Sequence, residues 1–508
     1  MSARPVLLVN PRICSPRNAR LPLSLLSLGA VLEGRREYEI LDGNLEPDLD
    51  GKVLAALART PHALVGVSVM PGPQVAPAIA VSSAVRARFP EVPIAWGGYF
   101  PTMYTEAALN APYVDFIVRG QGEETLLELL ARLDEEPGAS PGAEAGFAEV
   151  TGLSWKRDGV FVHNPERRFR PPDELPALPY ARLGDVTRYL GKTFMGERTG
   201  VHQAAIGCRY RCGFCGVVSM FNGTTILPRP RHMGDAVREL RDRYGATGMQ
   251  FFDNNFFDRE ENSIPALQEL AGLGMPYWVY ARADTLANFS ASTWELVKAS
   301  RLRMAYIGAE AASDDVLRKM HKGARVEHTL EVAARCREND VIPEFSFVLG
   351  GPEDAEGEIE KTLNFIKRVK GLHPACEVIL YFYTPTPQRD PAAARGGAVL
   401  PTQEAYGPTG LALPTTPEEW TEPRWIEFVC HQDAPWLTAR TRQRVKDFAQ
   451  VLACRFPTVQ DTRTPAWGRA ALKGLASWRY ATGVYARPAE LAAARRLIPL
   501  REPQREGL

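Results

Sequence analysis

Cys208-Arg-Tyr-Arg-Cys212-Gly-Phe-Cys215 follows directly on the apolar run His202–Ile206. The C-x3-C-x2-C spacing puts three thiols on one tight loop at the end of a candidate strand. Three thiolates so placed can ligate three corners of a cubane, because iron–sulfur clusters are held by cysteine thiolates. The chain has eight cysteines, but none lies between Cys14 and Cys208 or between Gly216 and Arg335. The fourth iron would therefore keep an open position, which suits ligand cleavage better than electron storage. Zinc is the alternative. Structural zinc sites, however, are closed four-ligand sites, often built from paired C-x2-C units, and no second pair accompanies this motif.

Outward from the motif, strand and helix patterns alternate six times. The strand candidates are His202–Ile206, Met249–Phe252, Tyr277–Tyr280, Met304–Ile307, Phe345–Leu349 and Glu377–Tyr381. Six β/α units over residues 198–390 suit a partial (β/α)6 barrel, since eight would need about 250 residues. Charged and glycine-rich stretches fall at the expected carboxyl ends: Phe252-Asp253-Asn254, Arg282-Ala283-Asp284, Gly308-Ala309-Glu310, Lys322-Gly323 and Gly350-Gly351-Pro352-Glu353. Barrel chemistry is built at those ends. Taken singly, Asp253, Arg282 and Glu310 could equally be surface salt bridges or helix caps.

Upstream, residues 1–150 carry five short apolar runs separated by helical stretches: Val6–Val9, Tyr38–Leu41, Val65–Val69, Ile94–Trp96 and Phe116–Val118. That pattern predicts a doubly wound parallel sheet, whose ligands bind beyond the carboxyl ends of the strands. Ser68-Val69-Met70, Gly97-Gly98-Tyr99 and Gly120-Gln121-Gly122-Glu123 stand at those ends. Paired glycines permit close backbone approach to a ligand, although a nucleotide or a plain turn would explain them too. Residues 151–197 read as a hairpin, turning at Asp158-Gly159, and a proline-rich linker. Residues 391–508 read as a mainly helical C-terminal domain, with helical stretches at Thr441–Phe456 and Pro488–Leu497.

The formal net charge of +0 gives no electrostatic footprint for nucleic acid. No apolar run reaches the roughly 18 residues of a membrane span, and the first residues lack the regions of a signal peptide. A cytoplasmic protein with no membrane insertion is expected.

The C-x3-C-x-φ-C motif, with Phe214 before Cys215, resembles the signature of the radical S-adenosylmethionine (SAM) superfamily. The resemblance implies a [4Fe–4S] cluster on Cys208, Cys212 and Cys215, and a SAM pocket formed by Phe214, Asp253, Arg282, Glu310, Gly350 and Gly351. Cluster-driven cleavage of SAM would give a 5′-deoxyadenosyl radical. The first domain resembles the cobalamin-binding domains fused to such barrels: a Ser-x-Leu element, here Ser68-Val69-Met70, then a Gly-Gly at the family separation. Ser68, Met70, Gly97, Gly98, Tyr99, Gly120, Gly122 and Glu123 are the implied cobalamin residues. Many relatives carry an upstream Asp-x-His-x-x-Gly whose histidine ligates cobalt. No histidine precedes His62 here, so cobalamin is expected base-off with no protein imidazole. Methyl transfer to an unactivated carbon of a small molecule, by way of methylcobalamin, is the leading expectation. A cyclase or rearrangement enzyme of the anaerobic magnesium-protoporphyrin ester cyclase type is the alternative, and a non-catalytic iron–sulfur or electron-transfer protein the second. A flavodoxin or ferredoxin is the implied electron donor.

Overall fold

The computed structural model describes residues 3–135, 146–157, 159–351, 355–387, 400–401, 411–461 and 464–498. The expected turn residue Asp158, Pro352-Glu353 and most of the acidic linker lie outside that set.

The N-terminal sheet is built from β1 (Val6–Asn10), β2 (Tyr38–Asp42), β3 (Leu64–Ser68), β4 (Ile94–Gly97) and β5 (Phe116–Val118). These pair in the order β2-β1-β3-β4-β5, all parallel. Their apolar runs are buried because helices cover both faces, as parallel sheets require. The strand order reverses between β1 and β3, which is where an open parallel sheet leaves its crevice. β6 (Leu153–Arg157) and β7 (Val160–His163) form the expected hairpin. It extends this first sheet, with β6 antiparallel to β5. Asn164 fixes the joint by donating from Nδ2 to the carbonyls of Phe147 and Val150.

The second sheet starts with an antiparallel edge strand, β8 (Gly191–Thr193), beside β9 (Gly196–His202). Five parallel strands follow: β10 (Gly248–Phe251), β11 (Tyr277–Arg282), β12 (Leu302–Glu310), β13 (Ile342–Leu349) and β14 (Glu377–Phe382). With β9 they make the six-stranded half-barrel. The first strand departs from expectation, ending at His202 where the sequence reading has it begin. Ala204-Ala205 is apolar because it is a buried loop, and Ile206 begins a separate two-residue strand. The amides of Ala204 and Ala205 bond a carboxylate instead of a neighbouring strand.

The C-terminal region is mainly helical, with helices Pro423–Val429, Ala439–Arg455, Ala466–Thr482 and Ala489–Leu497. It packs on both sheets. Trp420, Trp425 and Phe428 join the core of the first sheet, with Trp420 4.2 Å from the Tyr104 ring and 6.0 Å from the Phe100 ring. Val445, Phe448 and Val451 join the barrel core with Phe345 and Phe347. Among the described residues no helix is long and apolar enough to cross a membrane.

Trp420 is 1 % exposed at this junction. Trp420→Ala is expected to cost about 3–5 kcal/mol, read as a lowered midpoint in the first denaturation transition. An unchanged midpoint would mean that this junction carries no stability.

Candidate active site

The cysteine loop is held from three sides. Asp253, at the end of β10, accepts from the amides of Ala204 and Ala205 at 3.0 and 2.5 Å. Ile206-Gly207 then pairs antiparallel with Thr225-Ile226, which closes the loop around all three cysteines. Gly207 has φ +74°, and a side chain there would collide with the Thr224 carbonyl, so only glycine fits. Gly213 N–H donates to the Met320 carbonyl at 2.9 Å, and Cys215 N–H turns back to Cys212 at 3.1 Å.

Burial pushes the Cys208 thiol up, and the Cys215 thiol up to about 12. Thiols so buried ionise against a positive partner or a metal, which displaces their protons. Among the described residues no three His, Cys, Asp or Glu groups are arranged to hold a metal ion in the side-chain positions seen. A four-iron cube spreads its thiolates more widely than one ion does. Three thiols opening on one cavity, with an arginine at Cys212 and no fourth cysteine on its wall, fit such a cube.

Beside the loop lies a buried polar network. The Arg282 guanidinium, 4 % exposed, donates to both Asp284 oxygens at 2.9 Å and to the Lys322 carbonyl. It stacks on Tyr210, and its Nη1 stands 3.5 Å from Cys212 Sγ. Lys322 pairs with Glu310, both buried. Burial works against the charged Lys322, but Glu310 and Cys212 together more than offset it, and the pKa lies above its ordinary value. Glu310 has φ +59°, next to a register irregularity between β12 and β13. That unusual backbone swings its carboxylate back toward Lys322. A side chain at Gly308 would occupy the same space. Burial pushes the Asp253 carboxyl up to about 7, against the pull of its backbone hydrogen bonds.

Two cavities open here. One, of about 560 Å³, is walled by the three cysteines, Phe214, Asp253, Arg282 and Glu310. The other, of about 570 Å³ at the carboxyl edge of the first sheet, is walled by Ser68, Met70, Gly97, Gly98, Tyr99, Gly120, Gly122 and Glu123. Met70 and Tyr99 line both. Gly98 has φ +99°, and a Cβ there would sit 2.9 Å from the Val69 carbonyl oxygen. The Gly-lined crevice fits a bulky cofactor that approaches the backbone closely. Glu123 accepts from Ser27 Oγ at 2.6 Å, and burial raises its carboxyl pKa. Gly350 and Gly351 are not brought to either wall. Gly350 packs on Leu437 and accepts from Trp436 Nε1 at 2.8 Å.

Sequence reasoning assigned no role to Lys322, Tyr210, the tyrosines Tyr280 and Tyr306, or His431, all on the first cavity, whereas Tyr381, also on that wall, stands in the stretch at the sixth strand end read as a substrate entry. Nor did it find Gln74, His202 and His232 on the second. Lys322 stood in a quoted stretch, but its pairing needs the left-handed turn at Glu310. His202 is buried with neither ring nitrogen bonded, and burial pushes it down to about 3. His62, the first histidine in the chain, lines neither cavity and bonds the Thr60 carbonyl.

Residues 204–366 match the radical SAM superfamily, and residues 17–130 match the B12 binding domain. The chain belongs to the cobalamin-dependent radical SAM enzymes. It is 24% identical to an uncharacterised methyltransferase of Pyrococcus horikoshii over 352 residues, 68% of this chain and 73% of that one. It is 23% identical to the anaerobic magnesium-protoporphyrin IX monomethyl ester cyclase of Synechocystis sp. over 341 residues, 64% of each. Its fold is that of the radical SAM methyltransferase TsrM from Kitasatospora setae, solved with cobalamin and a [4Fe-4S] cluster. That match has a TM-score of 0.62 and 19% identity, covering 83% of this chain and 84% of TsrM.

Removing one partner of a buried ion pair leaves an uncompensated charge. Glu310→Ala is therefore expected to cost about 3–5 kcal/mol, and Glu310→Ala/Lys322→Met to recover most of that. Denaturant unfolding of the two variants side by side checks it; equal losses would contradict the pairing.

Proposed function

We propose that this enzyme transfers a methyl group from SAM to an unactivated carbon of a small molecule, with Cys208, Cys212 and Cys215 holding the cluster. The observation that carries the reading is the meeting of the two cavities at Met70 and Tyr99. A cofactor in the glycine-lined crevice and a ligand on the cysteine loop would share one enclosed space. When bound, the cluster and SAM supply a carbon-centred radical, and cobalamin supplies a transferable methyl group.

The chain's own residues position and shield these partners. The Glu310–Lys322 pair puts a carboxylate and an ammonium side by side on the cavity wall, a pair that the amine and carboxylate of SAM can join. Arg282 is committed to Asp284, so it sets the electrostatics at Cys212 more than it binds ligand. Asp253 holds the loop, and Phe214 offers a ring face to adenine. Ser68, Gly97, Gly98, Gly120, Gly122 and Glu123 hold the cobalamin, bound base-off. The segment after β1, residues 11–20, has no histidine, which supports a lower face without a protein imidazole from that segment. Water is kept out by the aromatic and apolar walls. The electron donor is a flavodoxin or ferredoxin.

The cyclase relatives favour one second reading, a radical ring closure on the same site. SAM with a trideuterated methyl group separates the two. Label in the product, together with 5′-deoxyadenosine, is the outcome expected for methyl transfer. Production of 5′-deoxyadenosine with no label in the product would favour the cyclase.

A further inference from the structure

The C-terminal region places one imidazole on the wall of the cysteine-lined cavity. His431 follows the helix Pro423–Val429 and is half-buried there. Its backbone is left-handed, φ +54°, a conformation that non-glycine residues keep where the surroundings impose it. β14 imposes it here: Phe382 N–H donates to the His431 carbonyl at 3.0 Å. His431 Nδ1 in turn lies 3.2 Å from the Phe382 carbonyl oxygen. A carbonyl only accepts, so Nδ1 carries the proton of the neutral ring and Nε2 is left as an acceptor. No group among the described residues bonds Nε2. Burial lowers the imidazole's pKa and favours that neutral form.

The ring stands edge-on to Tyr381, 5.6 Å away. Tyr381 shares a hydrogen bond with Tyr306, whose ring is 5.1 Å from Tyr280. This wall carries no charge. The charged groups of the cavity are bonded to one another or to backbone amides, and Glu310, which stands near Tyr306, is held by Lys322 and Ser346. An unpaired charge against the tyrosine wall would be costly to bury, whereas a planar ring packs well on aromatic edges and faces.

We propose that His431 selects the substrate, its Nε2 accepting a hydrogen bond from an N–H or O–H on an uncharged planar ring that lies against Tyr280, Tyr306 and Tyr381. The assignment rests on reading this cavity as the substrate site of the methyl transfer above. Adenine of SAM has the same donor chemistry, so the test separates the two sources.

The test uses anaerobically reconstituted protein, with binding read by calorimetry and no turnover. Two probe pairs differ by one donor: 2-naphthol against 2-methoxynaphthalene, and indole against 1-methylindole. The wild-type protein is expected to bind each donor about tenfold tighter than its methylated partner. His431→Asn and His431→Gly both tolerate a left-handed backbone, which guards against misfolding; unchanged iron content confirms it. Both are expected to lose the discrimination while keeping the affinity for SAM. Absent binding of either pair, no discrimination in the wild type, or discrimination that survives in both variants would overturn the assignment. So would a loss of SAM affinity with discrimination intact, which would put the imidazole on adenine. Because no turnover is read, failure of label transfer would sink the methyltransferase reading separately.

Discussion

The carboxylate of Asp253 holds two backbone amides that the sheet has released. Where β9 ends, Ala204 and Ala205 have no strand beside them, and buried amides must find acceptors. One side chain from the neighbouring strand supplies both. That bond fixes where the chain leaves the barrel and so where Cys208, Cys212 and Cys215 stand. Gly207 then tightens the loop, and the Met320 carbonyl ties its middle to the segment after β12. The three thiols, Cys212 buried and the other two half-buried, are thus held near Arg282 and Lys322 on a scaffold rigid enough to position a cluster. Rigid elements support such sites better than loops alone.

The second constraint is the joining of two sheets into one chamber. The switch point between β1 and β3 opens a crevice toward the barrel, and Tyr99 closes the gap by accepting from Asn254 at 3.2 Å. The C-terminal region clamps the arrangement. Trp420 and Trp425 bury themselves against the first sheet while the helix Ala439–Arg455 packs on the barrel. Between them His431 reaches the cavity wall. A region without a recognisable motif therefore has a structural task and contributes a side chain to the chamber.

The parallel sheets were legible because their strands are apolar runs at regular spacing, and five of the six barrel strands lie near their expected positions. The first was displaced because Ala204-Ala205 is apolar for the sake of a buried loop, and hydrophobicity does not distinguish that from a strand. The cysteines and the paired glycines announced themselves by spacing, and the structure gathers each group on one cavity. What sequence could not convey is pairing across elements. Arg282 is spent on Asp284, two residues away, and Lys322 meets Glu310 through a backbone twist that no residue pattern records. Gly350, flexible in principle, accommodates Leu437 from a segment far along the chain. His431 had no local signal at all.

The most direct measurement is the metal and cofactor content of anaerobically reconstituted protein, with a Cys208→Ala/Cys212→Ala/Cys215→Ala variant prepared alongside. The account predicts about four irons with matching sulfide per chain and one base-off cobalamin. The variant should lose the iron and keep the cobalamin, because the two are held on separate walls. Zinc in place of iron, or iron undiminished in the variant, would contradict it.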